Sequence, residues 1–541
     1  EKVKCIYIDP PYNTNASEII YKNGYKHSSW LSLMHNRIEI GQNLHNSKGL
    51  LLTAIDDTEL RYLHNAIETI YGYENFVANL AIQQNPRGRS DAMHIAPSHE
   101  YTLLYAKNLP LLETNELLQS VDDLNKKYPK HDDISSYREL PLRRSGSNSK
   151  RTERPNLFFP IYFDRELNKL SLEKSVNSIE ILPIDTEGVE RCWRWGKEKL
   201  IGTFKTEIIV KSNGDAFNLY TKDRLKNTIK PKSFWYGAKH DASSHGTMLL
   251  KNLFLNSEFS YPKSLNTLLD LFSLSTNKND LILDYFAGSG TTAHAVINLN
   301  REDNGNRKYI LVEQGEYFDS VLKPRVQKVI FAKDWKDGKP QADNGAFGGV
   351  SQIVKVLKLE SYEDTLNNLE LKQPASDLFD QNEALQNDYL LHYMLDVESR
   401  DSLLNTQHFT KPFDYQLNIA TTSAGAYEAK TIDLVETFNY LIGLQVSEIN
   451  DKRENGLVMV QGINTSGEKT LVIWRDCEKY DYDKLNRYLD SRDINPQDSE
   501  FEVIYINGDH NVPTVFTDSD DSVKTLKVRS IEAEFLSRMF G

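Results

Sequence analysis

Two short stretches of this chain hold residue types that could carry out a group transfer. The first is Asp9-Pro10-Pro11-Tyr12, directly after the apolar run Val3–Ile8. A carboxylate followed by a stiff turn presents two acceptors at a fixed separation, the Asp9 side chain and the Pro10 carbonyl, because the prolines fix φ. Such a pair can hold both N–H bonds of an exocyclic amine. It also stabilises the positive charge that develops on that nitrogen when its lone pair leaves the ring to attack an electrophile. Tyr12 adds an aromatic face on which an extruded base could stack. An Asp-Pro-Pro-Tyr can also be a plain strand-terminating turn, but ligands in α/β sheets gather at the carboxyl ends of strands, where this one sits.

The second stretch is Leu281-Ile282-Leu283-Asp284-Tyr285-Phe286-Ala287-Gly288-Ser289-Gly290-Thr291-Thr292, which reads as strand, glycine-rich turn and helix start. Gly288 and Gly290 let backbone approach a ligand, and Thr291 or Thr292 can cap the helix. The turn lacks the lysine of a P-loop and does not complete a GxGxxG, which disfavours ATP and NAD. Glu313 ends the next apolar run, Tyr309–Val312, where an acid can take ribose hydroxyls.

Elements must place these groups together. In residues 1–110, buried-strand patterns recur at Val3–Ile8, Leu50–Ile55, Phe76–Ile82 and Tyr101–Ala106, with helical patterns at Trp30–Leu44 and Thr58–Tyr71, the latter capped by Asp57 or Thr58. Residues 111–245 turn polar and weakly periodic and read as an inserted module of loops and short strands. Residues 246–335 return to α/β: helix Ser264–Ser273, strand Leu281–Asp284, helix Thr291–Leu299, strand Lys308–Glu313 and helix Asp319–Phe331. A turn-rich boundary at 335–350 precedes a further α/β or α+β domain at 350–541. It starts with a strand-like Ile353–Leu359 and continues with helical patterns at Glu363–Leu371 and Asp433–Ile442. Strand patterns follow at Leu457–Val460, Leu471–Trp474 and Phe501–Ile506. Alternating strands and helices imply an α/β sheet covered on both faces.

The chain has 541 residues, 26% of them charged, and a net charge of −13. The sum hides an uneven distribution: residues 111–245 carry roughly +4 and residues 351–541 roughly −16. Two basic clusters lie in the middle region, Arg143-Arg144 with Lys150-Arg151-Arg154, and Lys222-Arg224-Lys226-Lys230-Lys232-Lys239. They suit phosphate contacts, although a solvated surface gives the same pattern. Cys5, Cys192 and Cys477 form no CxxC pair, so neither a zinc site nor a disulfide framework is expected, and a reducing cytoplasm fits. No apolar run is long enough to cross a bilayer.

Taken together, Asp-Pro-Pro-Tyr-Asn-Thr and Asp-Tyr-Phe-Ala-Gly-Ser-Gly-Thr-Thr resemble the amino-methyltransferases of DNA. The order, Asp-Pro-Pro-Tyr first and glycine loop later, is similar to the β class. The stretch Asp284–Asn300 is most similar to the Mod subunits of type III restriction–modification systems. The resemblance implies a Rossmann-like S-adenosylmethionine-dependent sheet with an inserted target recognition domain at 111–245 and an additional C-terminal domain. It implies a catalytic half at 1–110 and a cofactor half at 246–335. Asp9, Pro10, Pro11 and Tyr12 would hold the target base. Asp284, Phe286, Gly288, Ser289, Gly290 and Thr291 would line the cofactor pocket, with Glu313 at the ribose and Lys263 at the methionine end. Lys263 could equally be an ordinary helix-start residue. Arg143, Arg144, Lys150, Arg151, Lys230 and Lys232 would meet DNA, and His99-Glu100-Tyr101 matches a position with a structural role. Tyr285 stands where the family usually has proline, a variation the type III group shares. The family also has a helix ahead of the first strand, so a segment preceding Glu1 is expected.

The implied activity is direct transfer of methyl to N6 of adenine in duplex DNA, on a flipped base and with no metal. Partners would be a second copy and a helicase–nuclease restriction subunit, in the cytoplasm of a bacterial or archaeal cell. The alternatives are N4 of cytosine, an RNA or protein amide substrate, or a recognition scaffold in which methylation is secondary. Residues 350–541 would serve dimerisation or partner contact, or only stabilise.

Overall fold

Six consecutive buried residues, Val3–Ile8, form β1, and burial on both faces puts this strand at the centre of a sheet. In the computed structural model β1 pairs in parallel with β2 (His45–Ile55) on one side. On its other side it pairs, also in parallel, with β6 (Leu281–Asp284). Between these, along the chain, lie α1 (Lys26–Leu44), α2 (Leu60–Tyr71), β3 (Phe76–Ile82), β4 (Glu100–Ala106), β5 (Phe234–Trp235) and α3 (Leu265–Ser275). α4 (Thr291–Asp303), β7 (Lys308–Leu311) and α5 (Lys323–Phe331) follow. The sheet order is β5-β3-β4-β2-β1-β6-β7. β4 alone runs antiparallel to its neighbours. The described residues are 2–14, 26–88, 93–214, 216–255, 259–361, 364, 368, 406–421, 426–497, 499–517 and 523–540. They fall into two units, Glu1–Ile353 and Val354–Gly541.

In the first unit, α1 buries Trp30, Met34, Ile38 and Gly41, spaced so that they form one stripe. With Leu63, Ile67 and Tyr71 of α2 this stripe covers one face of the sheet. Leu268, Leu271 and Phe272 of α3, with Ala295, Val296 and Leu299 of α4, cover the other. Full burial of such a side chain contributes roughly 1.5–3 kcal/mol. Glycine at position 41 lets α1 lie close to the end of β6, since a Cβ there would lie 3.2 Å from the Tyr285 hydroxyl and push that ring aside by a few tenths of an ångström. The sheet is thus doubly wound. The chain leaves β1 towards β2 in one direction and β6 towards β7 in the other, which opens a crevice at the carboxyl ends of β1 and β6.

Several boundaries differ from the sequence expectation. α2 starts at Leu60 behind Glu59, and neither Asp57 nor Thr58 caps it; the Thr58 amide instead binds the Asp56 carboxylate in a tight turn. β7 stops at Leu311. The helix expected at Asp319–Phe331 opens with a wide π turn, Phe318–Leu322, ahead of Pro324, which has no N–H to give. No strand forms over Ile353–Leu359, whose apolar side chains stay exposed. The helix expected at Glu363–Leu371 lies largely outside the described residues.

The inserted residues have a core of their own, including Leu142, Phe159, Ile161, Trp193, Leu200 and Leu219. They contain a four-stranded and a three-stranded sheet, and the pairing of Leu117–Leu118 with Thr228–Ile229 ties entry to exit. After that exit, Phe234–Trp235 joins the main sheet beside β3. The second unit holds a five-stranded sheet from Gln445–Lys452 to Lys527–Ser530. Helices Leu434–Leu441 and Ile531–Phe540 contribute to a core on one face, and Tyr482–Asp490 to a core on the other. Among the described residues no helix is long and apolar enough to cross a membrane.

Candidate active site

Asp9 follows the last residue of β1, and two anchors hold the turn that carries it. The Trp30 indole N–H donates to the Pro11 carbonyl at 2.8 Å. The Asn13 amide donates to Glu59 Oε1 at 2.6 Å, with Asn13 in the left-handed region at φ 59°. Glu59, fully buried at the head of α2, also meets His27 Nδ1 at 2.6 Å. Trp30 therefore fixes the carbonyl of Pro11 and not that of Pro10.

Lys263, two residues before α3, reaches across to this turn. Its Nζ lies 3.3 Å from Asp9 Oδ1 and donates to Glu100 Oε2 and the Tyr12 hydroxyl. It also stands 4.6 Å from the centroid of the Tyr12 ring. The Tyr12 hydroxyl donates to Glu100 Oε2 at 3.0 Å. One ammonium thus bridges two carboxylates and a phenol. Burial pushes the Asp9 carboxyl above the usual carboxylate range, with Lys263 pulling it back and Glu100 pushing it further up. Burial pulls the Lys263 ammonium down, but the Asp9 and Glu100 carboxylates outweigh it and hold it above its ordinary value. Asp9 keeps 24% of its side chain exposed, so a ligand can reach it.

The sequence reading gave Glu100 a structural role, and the structure places it in this cluster. The cause is the direction of β4. An antiparallel strand starts where its parallel neighbours end, and the Ile55–Tyr101 pairing puts Glu100 at the same rim as Asp9. The signal available in the sequence was an acid at the head of an apolar run.

At the end of β6 the Asp284 carboxylate accepts from the Phe286 amide at 3.0 Å and from the Thr292 hydroxyl at 2.5 Å. Burial pushes its pKa up to about 7. Neither threonine caps α4. Gly290 takes that position in a left-handed conformation that threonine would strain, and Thr292 turns its hydroxyl to Asp284. Gly288 and Gly290 have φ of 53° and 80°. Glu313 accepts from the amides of Gly288 at 2.7 Å and of Gln314 and Gly315 at 2.8 Å, which pins the loop to the end of β7. Phe286 packs, half-buried, against the core below. Ser289 and Thr291 are buried and accept hydrogen bonds from Arg325, a residue the sequence reading missed because it lies in the first turn of α5, far along the chain from the loop.

The basic residues of the insert divide. Arg143 donates to the Ile184 carbonyl, and Arg151 pairs with Glu190 at 3.0 Å while covering the Phe158 ring. Lys222 and Arg224 are taken up by Asp132 and Glu207, and Lys239 by Asp270. Arg144, Lys150, Lys230 and Lys232 make no side-chain ion pair among the described residues, and the three lysines are exposed. Among those residues no group of three His, Cys, Asp or Glu could hold a metal ion.

The chain that builds this arrangement, a proline-stiffened turn beside a glycine-rich loop at a sheet's switch point, is similar in sequence to known proteins. The family model for DNA methylases matches residues 3–323. The Mod subunit of the type III restriction–modification enzyme EcoPI, from Escherichia phage P1, is 31% identical over 425 residues, covering 68% of this chain and 64% of that protein. The type II methyltransferase M.KpnI of Klebsiella pneumoniae is 33% identical over 317 residues, 57% of this chain and 74% of that one. The probable HindVI Mod subunit of Haemophilus influenzae is 25% identical over 478 residues, 77% of this chain and 59% of its own length. The chain therefore spans about three-fifths of the Mod subunits it matches. With more than half of its length matched by the family model and both motifs seated at one crevice, it belongs to the DNA methylase family.

Proposed function

We propose that this chain transfers a methyl group from S-adenosylmethionine to an exocyclic amine in duplex DNA, N6 of adenine. The observation that carries the reading is the meeting of Asp9, at the end of β1, with the Gly288–Gly290 loop, at the end of the adjacent β6. The residues fit the cofactor. Both glycines are left-handed, and a Cβ on either would press to 3.3 Å against Phe259 or Leu322, so the loop is built without side-chain bulk. Asp284, Phe286, Gly288, Ser289, Gly290 and Thr291 would hold the cofactor, Lys263 would lie at its methionine end, and Glu313 would take ribose hydroxyls on oxygens that already pin the loop. The bound cofactor supplies an electrophilic methyl on a sulfonium.

The chain's own residues do the rest. Asp9 Oδ1 and the Pro10 carbonyl accept the two N–H bonds of the target amine and stabilise the charge that grows on its nitrogen. Tyr12 stacks on the flipped base. Lys263, held on Asp9 in the free protein, leans on Glu100 and Tyr12 when the amine takes its place. After transfer the nitrogen carries a surplus proton, and Asp9, made more basic by burial, is the base beside it. The inserted module reads the site, with Arg144, Lys150, Lys230 and Lys232 meeting phosphates. Arg143 and Arg151, tied up internally, support that surface.

We assign the chain to the modification and recognition side of a type III system, acting in the cytoplasm with a second copy and a restriction subunit. The HindVI match supports this, because its share of the chain exceeds what the first 353 residues hold and so takes in part of the C-terminal unit. That unit would serve self-association or partner contact. The test is transfer from methyl-labelled S-adenosylmethionine to unmethylated duplex DNA, followed by nucleoside analysis. Label in N6-methyladenine is expected. Label in N4-methylcytosine would keep the mechanism and overturn the base, and absence of label from DNA would overturn the reading.

A further inference from the structure

Arg325 lies on α5, behind the glycine-rich loop, and is fully buried. Its Nη1 donates to Ser289 Oγ at 2.8 Å and to Thr291 Oγ1 at 2.9 Å, with the Ser289 carbonyl at 3.4 Å. Its Nη2 meets His294 Nδ1 at 3.4 Å, and its Nε has no hydrogen-bond partner. No carboxylate among the described residues pairs with it, although buried arginines ordinarily sit against an acid. Burial alone pulls its pKa down to about 9, with no neighbouring acid to restore it. His294 is no counter-charge, since burial and the adjacent Arg325 keep the imidazole neutral. A cation sealed inside without an anion is strongly unfavourable unless an anion joins it.

The two hydroxyls it holds belong to the loop and first turn of α4, a helix of 13 residues that starts directly after the loop at the carboxyl end of β6, and a helix start favours an anion. Each hydroxyl accepts from Arg325, and the two oxygens stand 3.3 Å apart, so one can donate to the other while at least one hydrogen stays available to a ligand. We propose that Arg325 is the positioning residue for the cofactor's methionine carboxylate, its charge relayed through the Ser289 and Thr291 hydroxyls and added to the field at the start of α4. This rests on the cofactor assignment above. The missing counter-ion is then the ligand itself, and the pocket selects for a carboxylate it does not touch with the guanidinium.

The experiment compares S-adenosylmethionine with its decarboxylated form by calorimetry on the full chain. Wild type should bind the carboxylate-bearing compound at least tenfold more tightly. Arg325→Met should lose that preference, falling at least tenfold for S-adenosylmethionine and less than threefold for the decarboxylated form. Arg325→Lys, which keeps the charge, should retain most of it and serves if the Met variant does not fold. Equal affinity of wild type for both compounds, or equal loss for both in either variant, would overturn the proposal. Binding of neither compound by wild type would instead overturn the cofactor reading.

Discussion

The two turns that meet at the carboxyl end of the main sheet solve opposite electrostatic problems. Around Asp9, opposite charges meet directly: Lys263 sits between two carboxylates, and every member of the cluster remains partly reachable. Around Gly288, charges are set into fixed structure. Asp284 and Glu313 spend their oxygens on loop amides and a hydroxyl, while Arg325 is sealed behind without an acid. On the proposed function, the first turn exchanges one partner for another as an amine arrives and leaves. The second, its oxygens committed to the loop's own amides and a hydroxyl, would hold the proposed cofactor the same way at every turnover. Substitutions should separate the two.

The largest effect is expected at Asp9. Asp9→Asn should slow transfer by on the order of a hundred- to a thousandfold, read from initial rates on duplex DNA, because it removes charge from the acceptor that faces the developing cation. Glu100→Gln should come next. With one counter-ion gone, Lys263 competes harder for Asp9, and transfer should fall between about ten- and a hundredfold. An unchanged rate would remove Glu100 from the account.

On the glycine-loop side the effect is on stability. Asp284 titrates near 7 in the folded chain against an ordinary 3.8. Between these values the folded state keeps a proton that the unfolded chain has released. Its contribution is therefore whole below pH 4 and is lost as pH rises through about 7. Urea unfolding should show the stability of wild type relative to Asp284→Asn falling by on the order of 4 kcal/mol from about pH 4 to about pH 8. A flat difference would contradict the burial of that carboxyl. Trp30→Phe should do least, destabilising by about 1 kcal/mol through loss of the Pro11 hydrogen bond, with a slower transfer as the turn loosens.

Much of this was legible in the sequence where one strand or one turn decides the outcome. Val3–Ile8, Phe76–Ile82 and Leu281–Asp284 are strands with the bounds their apolar runs indicate. Asp9 and Asp284 stand at strand ends, as their motifs require. What was hidden depends on partners far along the chain. Glu100 enters the site only because β4 is reversed. Arg325 enters through the packing of α5 behind the loop. The cap of α4 passed from threonine to Gly290 because a left-handed turn and the demand of Asp284 for a hydroxyl outweigh capping preference. Ile353–Leu359 is rich in β-branched and apolar residues like a strand but finds no neighbour to pair with among the described residues, so composition alone did not make one.

The division between the two turns is tested most directly by titrating Asp9→Asn and Gly288→Ala with S-adenosylmethionine in a calorimeter. Asp9→Asn should bind the cofactor within threefold of wild type while transferring methyl on the order of a hundred- to a thousandfold more slowly. Gly288→Ala, strained at a positive φ and pressed against Phe259, should lose at least tenfold in affinity. Equal losses of affinity in the two variants would contradict the account.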